Sequence, residues 1–168
     1  MIEQLRGPAL LAATMTMGLM AGVFGLYAHA IMPGLHQTDD RTFVSAFQEI
    51  DKAVVKPWFM PFFVGAFVLT GLAAVLYLRH DRRSVLPWIV AALVLYLAVF
   101  VITIAVNVPL NDDIKAAGHV DRIADLAAVR DRFDEARWAA WNIVRFVAST
   151  AAFGCLAWAL VLHSRIET

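Results

Sequence analysis

Trp138, Trp141, Asn142 and Arg145 open an otherwise apolar run that ends near His163. Spaced i, i+3, i+4 and i+7, they fall on one side of a helix. An amide and a full positive charge buried in hydrocarbon cost several kcal/mol unless something pairs with them. The chemistry such a pair offers is the holding of a negatively charged oxygen as it forms. The sequence provides three partners for Arg145: Asp51, a carbonyl released by a broken helix, or an anionic oxygen of a ligand. The other outcome is snorkelling, in which the guanidinium climbs to the headgroups along its stem. Arg145 lies about 10 Å beyond Trp138 at 1.5 Å per residue, near the limit of that reach.

Other polar residues gather at the same level of the chain's apolar runs. His29 ends the first run, and His36, Gln48 and Asp51 lie in the connection that follows it. Asn107-Val108-Pro109-Leu110-Asn111 ends the third run. Proline at 109 donates no N–H and disfavours the helical region for Val108, so the helix is expected to end or kink there and release carbonyls near Thr103 to Ala105. Asn107 then either satisfies those carbonyls or joins Arg145, and Asn111 either caps a following helix or joins the same cluster. Trp138 and Trp141 are either interfacial belt anchors or, for Trp141, a pocket wall.

Positioning these groups falls to four long apolar blocks, at about 8–30, 57–78, 85–106 and 138–162. Each meets the roughly 20 residues needed to cross about 30 Å of hydrocarbon. Hydrophobic residues make up 61% of the 168 and charged residues 17%, with the apolar ones in blocks rather than scattered. The expected fold is all-α: an integral membrane four-helix bundle, one transmembrane domain over 1–168. Ala28-His29-Ala30 has the look of a signal-peptide cleavage site, but the block exceeds the roughly 7–15 residues of such a segment. A retained helix is expected, with Gly18, Gly22 and Gly25 spaced for close packing within or between protomers.

The basic turn Arg79-His80-Asp81-Arg82-Arg83 places itself, and with it both termini, in the cytoplasm by the positive-inside rule; a bacterial inner membrane is the expected location. The long connections, about 31–56 and 108–137, then share the opposite, outer face. In the first, Phe43, Phe47, Ile50 and Val54 recur at helical spacing after the N-cap candidates Thr38, Asp39 and Asp40. The second carries Ile123, Leu126, Val129 or Arg130, and Phe133 in the same way. Two amphipathic helical connections capping the outer face are expected, either covering helix ends or forming a lid. The inner side offers only the basic turn and helix ends.

A formal net charge of zero argues against a nucleic-acid surface. Cys155, the lone cysteine, reads as a small packing residue. No histidine pair has metal-site spacing and no glycine-rich phosphate loop is present, so no cofactor is expected; copper or iron on His29, His36 and His119 is the fallback.

Several of these motifs, taken in order, resemble the anthrone oxygenase-like family of small four-helix membrane proteins. They are Met32-Pro33, Phe47-Gln48, Pro57-Trp58-Phe59-Met60, the run Asn107 to Asp112, and Trp138-x-x-Trp141-Asn142-x-x-Arg145. The resemblance implies oxidation of an anthrone to an anthraquinone with dioxygen, as assigned to members in aromatic polyketide pathways. The sequence departs from the family pattern at His29, where a small or hydroxyl residue is usual, and at Asp51, where Asn is usual. On this reading Asp51 or His29 takes the substrate proton, and Arg145, Asn142 and Asn107 stabilise the enolate oxygen. Phe59, Trp141, Gln48 and Asn111 bind a flat aromatic or lipid-like ligand. The alternatives are a non-catalytic module binding a lipid, quinone or partner protein, a homo-oligomer included, and a purely structural polar cluster.

Overall fold

The computed structural model describes residues 2–55, 58–78 and 84–167; Pro57 and the basic turn Arg79 to Arg83 lie outside the described residues. All elements among the described residues are helical. With no water in a bilayer core, a spanning segment must satisfy its backbone internally, and a helix does so. Four segments are long and apolar enough to cross: Gln4–His36, Phe59–Leu76, Leu86–Ala116 and Leu126–Arg165. Their main helices are α1 (Ile2–Leu26), α4 (Phe59–Leu76), α5 (Leu86–Ile102) and α8 (Glu135–Glu167). Helix α1 packs on α4 and α8, and α5 packs closely on α8 but only loosely on α4. The chain is thus an integral membrane protein built as a four-helix bundle.

Two of these rods run well past the expected span ends, for one shared reason. Helix α1 continues through a widened π-turn, Tyr27–Ile31, into α2 (Met32–His36), and α5 continues through a second, Thr103–Asn107, into α6 (Val108–Ala116). The Met32 N–H reaches back to the Tyr27 carbonyl, and the Val108 N–H to that of Thr103. Proline follows directly in both, as Pro33 and Pro109. In a regular helix the proline ring strikes the carbonyl four residues back; one extra residue in the preceding turn relieves the clash. The expected end of the third helix at Pro109 is therefore corrected: the helix bulges and goes on.

Small residues let the rods approach. Gly18 and Gly25 leave room for the rings of Phe153 and Phe146, which a Cβ at either glycine would meet at 3.0 and 2.9 Å. Gly22 faces open space. Cys155 is partly buried against the bundle core.

Both long connections meet at one end of the bundle, where they form a cap with its own core. Helix α3 (Asp40–Val55) starts at Asp39, whose carboxylate accepts from the Thr42 hydroxyl at 2.7 Å and backbone N–H at 3.0 Å. The Thr42 hydroxyl and then its N–H hold the Asp39 carboxyl below the usual carboxylate range. That cap is kept above the ordinary carboxylate pKa and lost only as pH falls through the lowered one. Helix α7 (Leu126–Phe133) is capped by Asp125, which accepts from the Ala128 N–H at 2.9 Å, and ends where Asp134 turns left-handed at φ 50°.

Phe43, Val44 and Phe47 of α3, Val129 and Phe133 of α7, Leu110 and Ile114 of α6, Met32 and Trp138 are buried together. Arg130 closes this cap from outside, lying 4.2 Å over the Phe43 ring and donating to the Thr38 carbonyl, Asp40 and Glu135. The opposite end corrects the expectation of helix ends alone. Arg6 is buried there, its Nε donating to the Leu76 carbonyl at 3.0 Å beneath Tyr77 and His163.

Candidate functional site

Directly under the cap lies a cavity of about 220 Å³, walled by α1, α3, α4, α5 with its continuation α6, and α8. Of the expected site residues it gathers Asp51, Phe59, Asn107, Asn111, Asn142 and Arg145. Its floor is a stack: Phe59 on Phe63 at 5.4 Å and 11°, and Phe63 on Phe100 at 4.6 Å and 13°. Flat, parallel rings make a slot suited to a flat guest.

Arg145 occupies the deep end, 4% exposed. Its Nη2 donates to Asn142 Oδ1 at 3.0 Å and its Nη1 to the Thr103 hydroxyl at 3.3 Å, while its Nε has no partner. The guanidinium lies 4.7 Å from the Phe24 ring centre and 5.4 Å from that of Trp138. Snorkelling is thereby ruled out, and so are two of the expected partners. No carboxylate among the described residues pairs with Arg145, and it takes a hydroxyl rather than a released carbonyl. The π-turn supplies that hydroxyl, because Thr103 opens it and is itself anchored to the Val99 carbonyl at 2.8 Å.

The amides around Arg145 tie helices together. Asn142 Nδ2 donates to the Phe24 carbonyl at 3.0 Å, linking α8 to α1 one turn before its π-turn. Asn107, 1% exposed, donates through Nδ2 to the Trp138 carbonyl at 3.3 Å and leaves its Oδ1 without a partner.

At the cap end of the cavity a second chain of bonds runs through Asp51. Trp138 Nε1 donates to Asn111 Oδ1 at 2.7 Å, and Asn111 Nδ2 donates to Asp51 Oδ1 at 2.8 Å. Lys115 Nζ stands 3.2 Å from the other Asp51 oxygen. Asn111 does not cap a helix, as one reading expected; it sits inside α6 and orients the carboxylate. The cavity therefore has a carboxylate at one end and a guanidinium at the other, with aromatic rings between them.

Three expected residues stand elsewhere. His29 is exposed and does not line the cavity, its ring standing edge-on to Phe146 at 5.1 Å. Trp141 is 38% exposed and does not line the cavity. It is about 100° from Asn142, as neighbours on a helix are, and Trp138 holds the wall position instead. Gln48 is buried in the cap, its Nδ-equivalent Nε2 donating to the carbonyls of Ile114 at 2.7 Å and Gly118 at 3.0 Å. It pins the connection after α6 to α3. Replacing Gln48 by Leu leaves both carbonyls without that donor and should cost the cap about 1–3 kcal/mol. Hydrogen exchange should then speed up around Gly118 and leave α5 unchanged.

The histidines of the metal fallback do not meet. His36 contacts Glu135 at 2.9 Å, and His119 accepts from the Asp121 N–H at 3.4 Å. Among the described residues no three His, Cys, Asp or Glu side chains are grouped so as to hold a metal ion. Sequence reasoning missed Tyr27, Phe63, Phe100 and Thr103 in the lining. In runs apolar all round, nothing marks which residues face inward; the prolines two residues past each π-turn were the available signal.

The fold and site define an integral membrane four-helix bundle with an aromatic-lined cavity, at whose deep end stands a guanidinium without a carboxylate partner among the described residues. The family model for anthrone oxygenase matches residues 58–155, more than half of the chain and all of α4 to α7 with most of α8. The chain belongs to the anthrone oxygenase family. No curated protein and no solved structure matches it.

Proposed function

We propose that the cavity binds a flat, weakly acidic aromatic of the anthrone type and promotes its oxidation by dioxygen. The carrying observation is Arg145: a buried cation with no carboxylate partner among the described residues, lining an apolar cavity with its Nε unsatisfied. A buried charge is kept at such cost where function uses it, and an anionic ligand oxygen is the counter-charge it lacks. The open space around it supports ligand binding over a purely structural cluster.

In the proposed reaction Asp51, aligned by Asn111, takes a proton from the ring methylene that lies across the central ring from the carbonyl. Arg145, held in place by Asn142 and Thr103 and with its Nε free to donate, stabilises the oxygen that becomes negative. The electron-rich enolate passes its electrons to dioxygen, and a carbon–oxygen bond forms. The resulting hydroperoxide loses water to leave a second carbonyl. One oxygen atom enters the product, the other leaves as water, and the substrate supplies all the electrons. The aromatic stack holds the ring plane and excludes water.

Chelator-treated protein in lipid nanodiscs, given dithranol, should consume equimolar dioxygen and form the quinone faster than protein-free discs. Activity abolished by chelation and restored by copper or iron would overturn the cofactor-free form. Absence of any acceleration over protein-free discs would give the binding-module reading first place.

We further propose a bacterial inner-membrane location with both termini in the cytoplasm and the cap outside, from the basic turn. Single cysteines at Ser84 and Gly118, in a background lacking Cys155, should react with an impermeant reagent from opposite sides. Reaction of both from one side would refute the arrangement.

A further inference from the structure

The cavity's surroundings differ sharply between the side toward water and the side toward lipid. Toward water the cap closes it. Phe47 and Trp138 both line the cavity and are 2% and 3% exposed, with Phe133 packed behind Phe47 at 4.5 Å. Gln48 pins the connection behind α6 to α3, and the Trp138–Asn111–Asp51–Lys115 chain seals the seam between α8, α6 and α3. Toward lipid it is open. The lining residues Met60 of α4, Ile104 of the π-turn after α5 and Val108 of α6 are 47%, 59% and 41% exposed, and α4 packs more loosely on α5 than on α1.

We infer that the site is filled sideways from the bilayer, through a portal framed by Met60, Ile104 and Val108, by a neutral lipid-dissolved aromatic. The inference rests on the proposed reading of the site and adds where the substrate comes from and in what charge state. Three apolar side chains offer nothing to solvate an anion in the doorway. The substrate must therefore pass uncharged and ionise only once its oxygen reaches Arg145. The quinone product is again neutral and leaves by the same route.

Size agrees with this. An apolar cavity of about 150 Å³ holds a single benzene ring, so 220 Å³ takes part of a three-ring system and leaves the rest in the doorway. A ring lying between Met60 and Ile104 then replaces lipid contacts with protein contacts. A water-side opening would instead require the cap core to come apart.

The test uses the full protein in lipid nanodiscs with danthron, a flat dihydroxy-anthraquinone that needs no turnover, followed by stopped-flow quenching of tryptophan fluorescence. If the portal is the route, the association rate follows the mole fraction of danthron in the bilayer. Ile104→Phe and Val108→Phe, which narrow the doorway, should slow both association and dissociation, association by about 10-fold. Gln48→Leu, which loosens the cap, should leave both rates alone. The inference is overturned if the narrowed doorway leaves the rates unchanged, or if Gln48→Leu accelerates binding. Danthron failing to bind the unmodified protein overturns it too. Danthron binding with these kinetics while dithranol is not oxidised would sink the oxygenase reading and leave the portal standing.

Discussion

Arg145→Met should remove function while leaving the bundle as stable as before, or more so. The usual cost of breaking a buried ion pair, about 3–5 kcal/mol, comes from the partner charge left behind, and Arg145 leaves no carboxylate behind. What is lost is two hydrogen bonds and the contacts with the Phe24 and Trp138 rings. What is gained is relief from burying a charge, and exchanging buried ions for packed apolar groups is often neutral or stabilising by about 1–4 kcal/mol. Methionine fills the same channel without a charge. Dioxygen-dependent turnover of dithranol should fall by about 100- to 1,000-fold, the range for losing an oxyanion donor. The thermal midpoint in detergent should hold or rise. A large drop in that midpoint would show instead that Arg145 serves to join α8 to α5, and the case for an anionic ligand would weaken accordingly.

Asp51→Asn should lower the same turnover by about 100- to 10,000-fold, the usual worth of a positioned base. Asparagine keeps an oxygen that can accept from Asn111, so the chain through Trp138 survives and only proton uptake is lost. The partnership with Lys115 is partly exposed, and its loss should cost about 1 kcal/mol or less. Lys115→Met is the control, since it removes that partnership and leaves the carboxylate. Unchanged turnover in Asp51→Asn would assign the proton to water, because the other expected base, His29, does not line the cavity.

Much of the architecture was legible because it depends on local patterns. Four apolar runs of sufficient length require four helices in lipid whatever they pack against. The period of Phe43, Phe47, Ile50 and Val54 required an amphipathic helix, and α3 runs where that period does. On α8 a polar amide and a charge stood out against an apolar background, so Asn142 and Arg145, which line the cavity, were readable as candidates without knowing their neighbours.

Rotational position within the apolar runs was decided only by the tertiary structure. Lipid-facing and core-facing residues of a membrane helix are equally apolar, so composition carries no signal of which side is which. That is why Trp141 and Trp138 exchanged places as wall and outer residue, and why Phe63 and Phe100 went unnoticed. Each π-turn adds a further shift, bringing Tyr27, Thr103 and Asn107 to the cavity. Gln48 and Asn111 show the same limit for polar groups. The sequence determined that such residues at the end of a bundle need partners. Which carbonyl, carboxylate or ligand each one meets depends on helices brought together from distant parts of the chain.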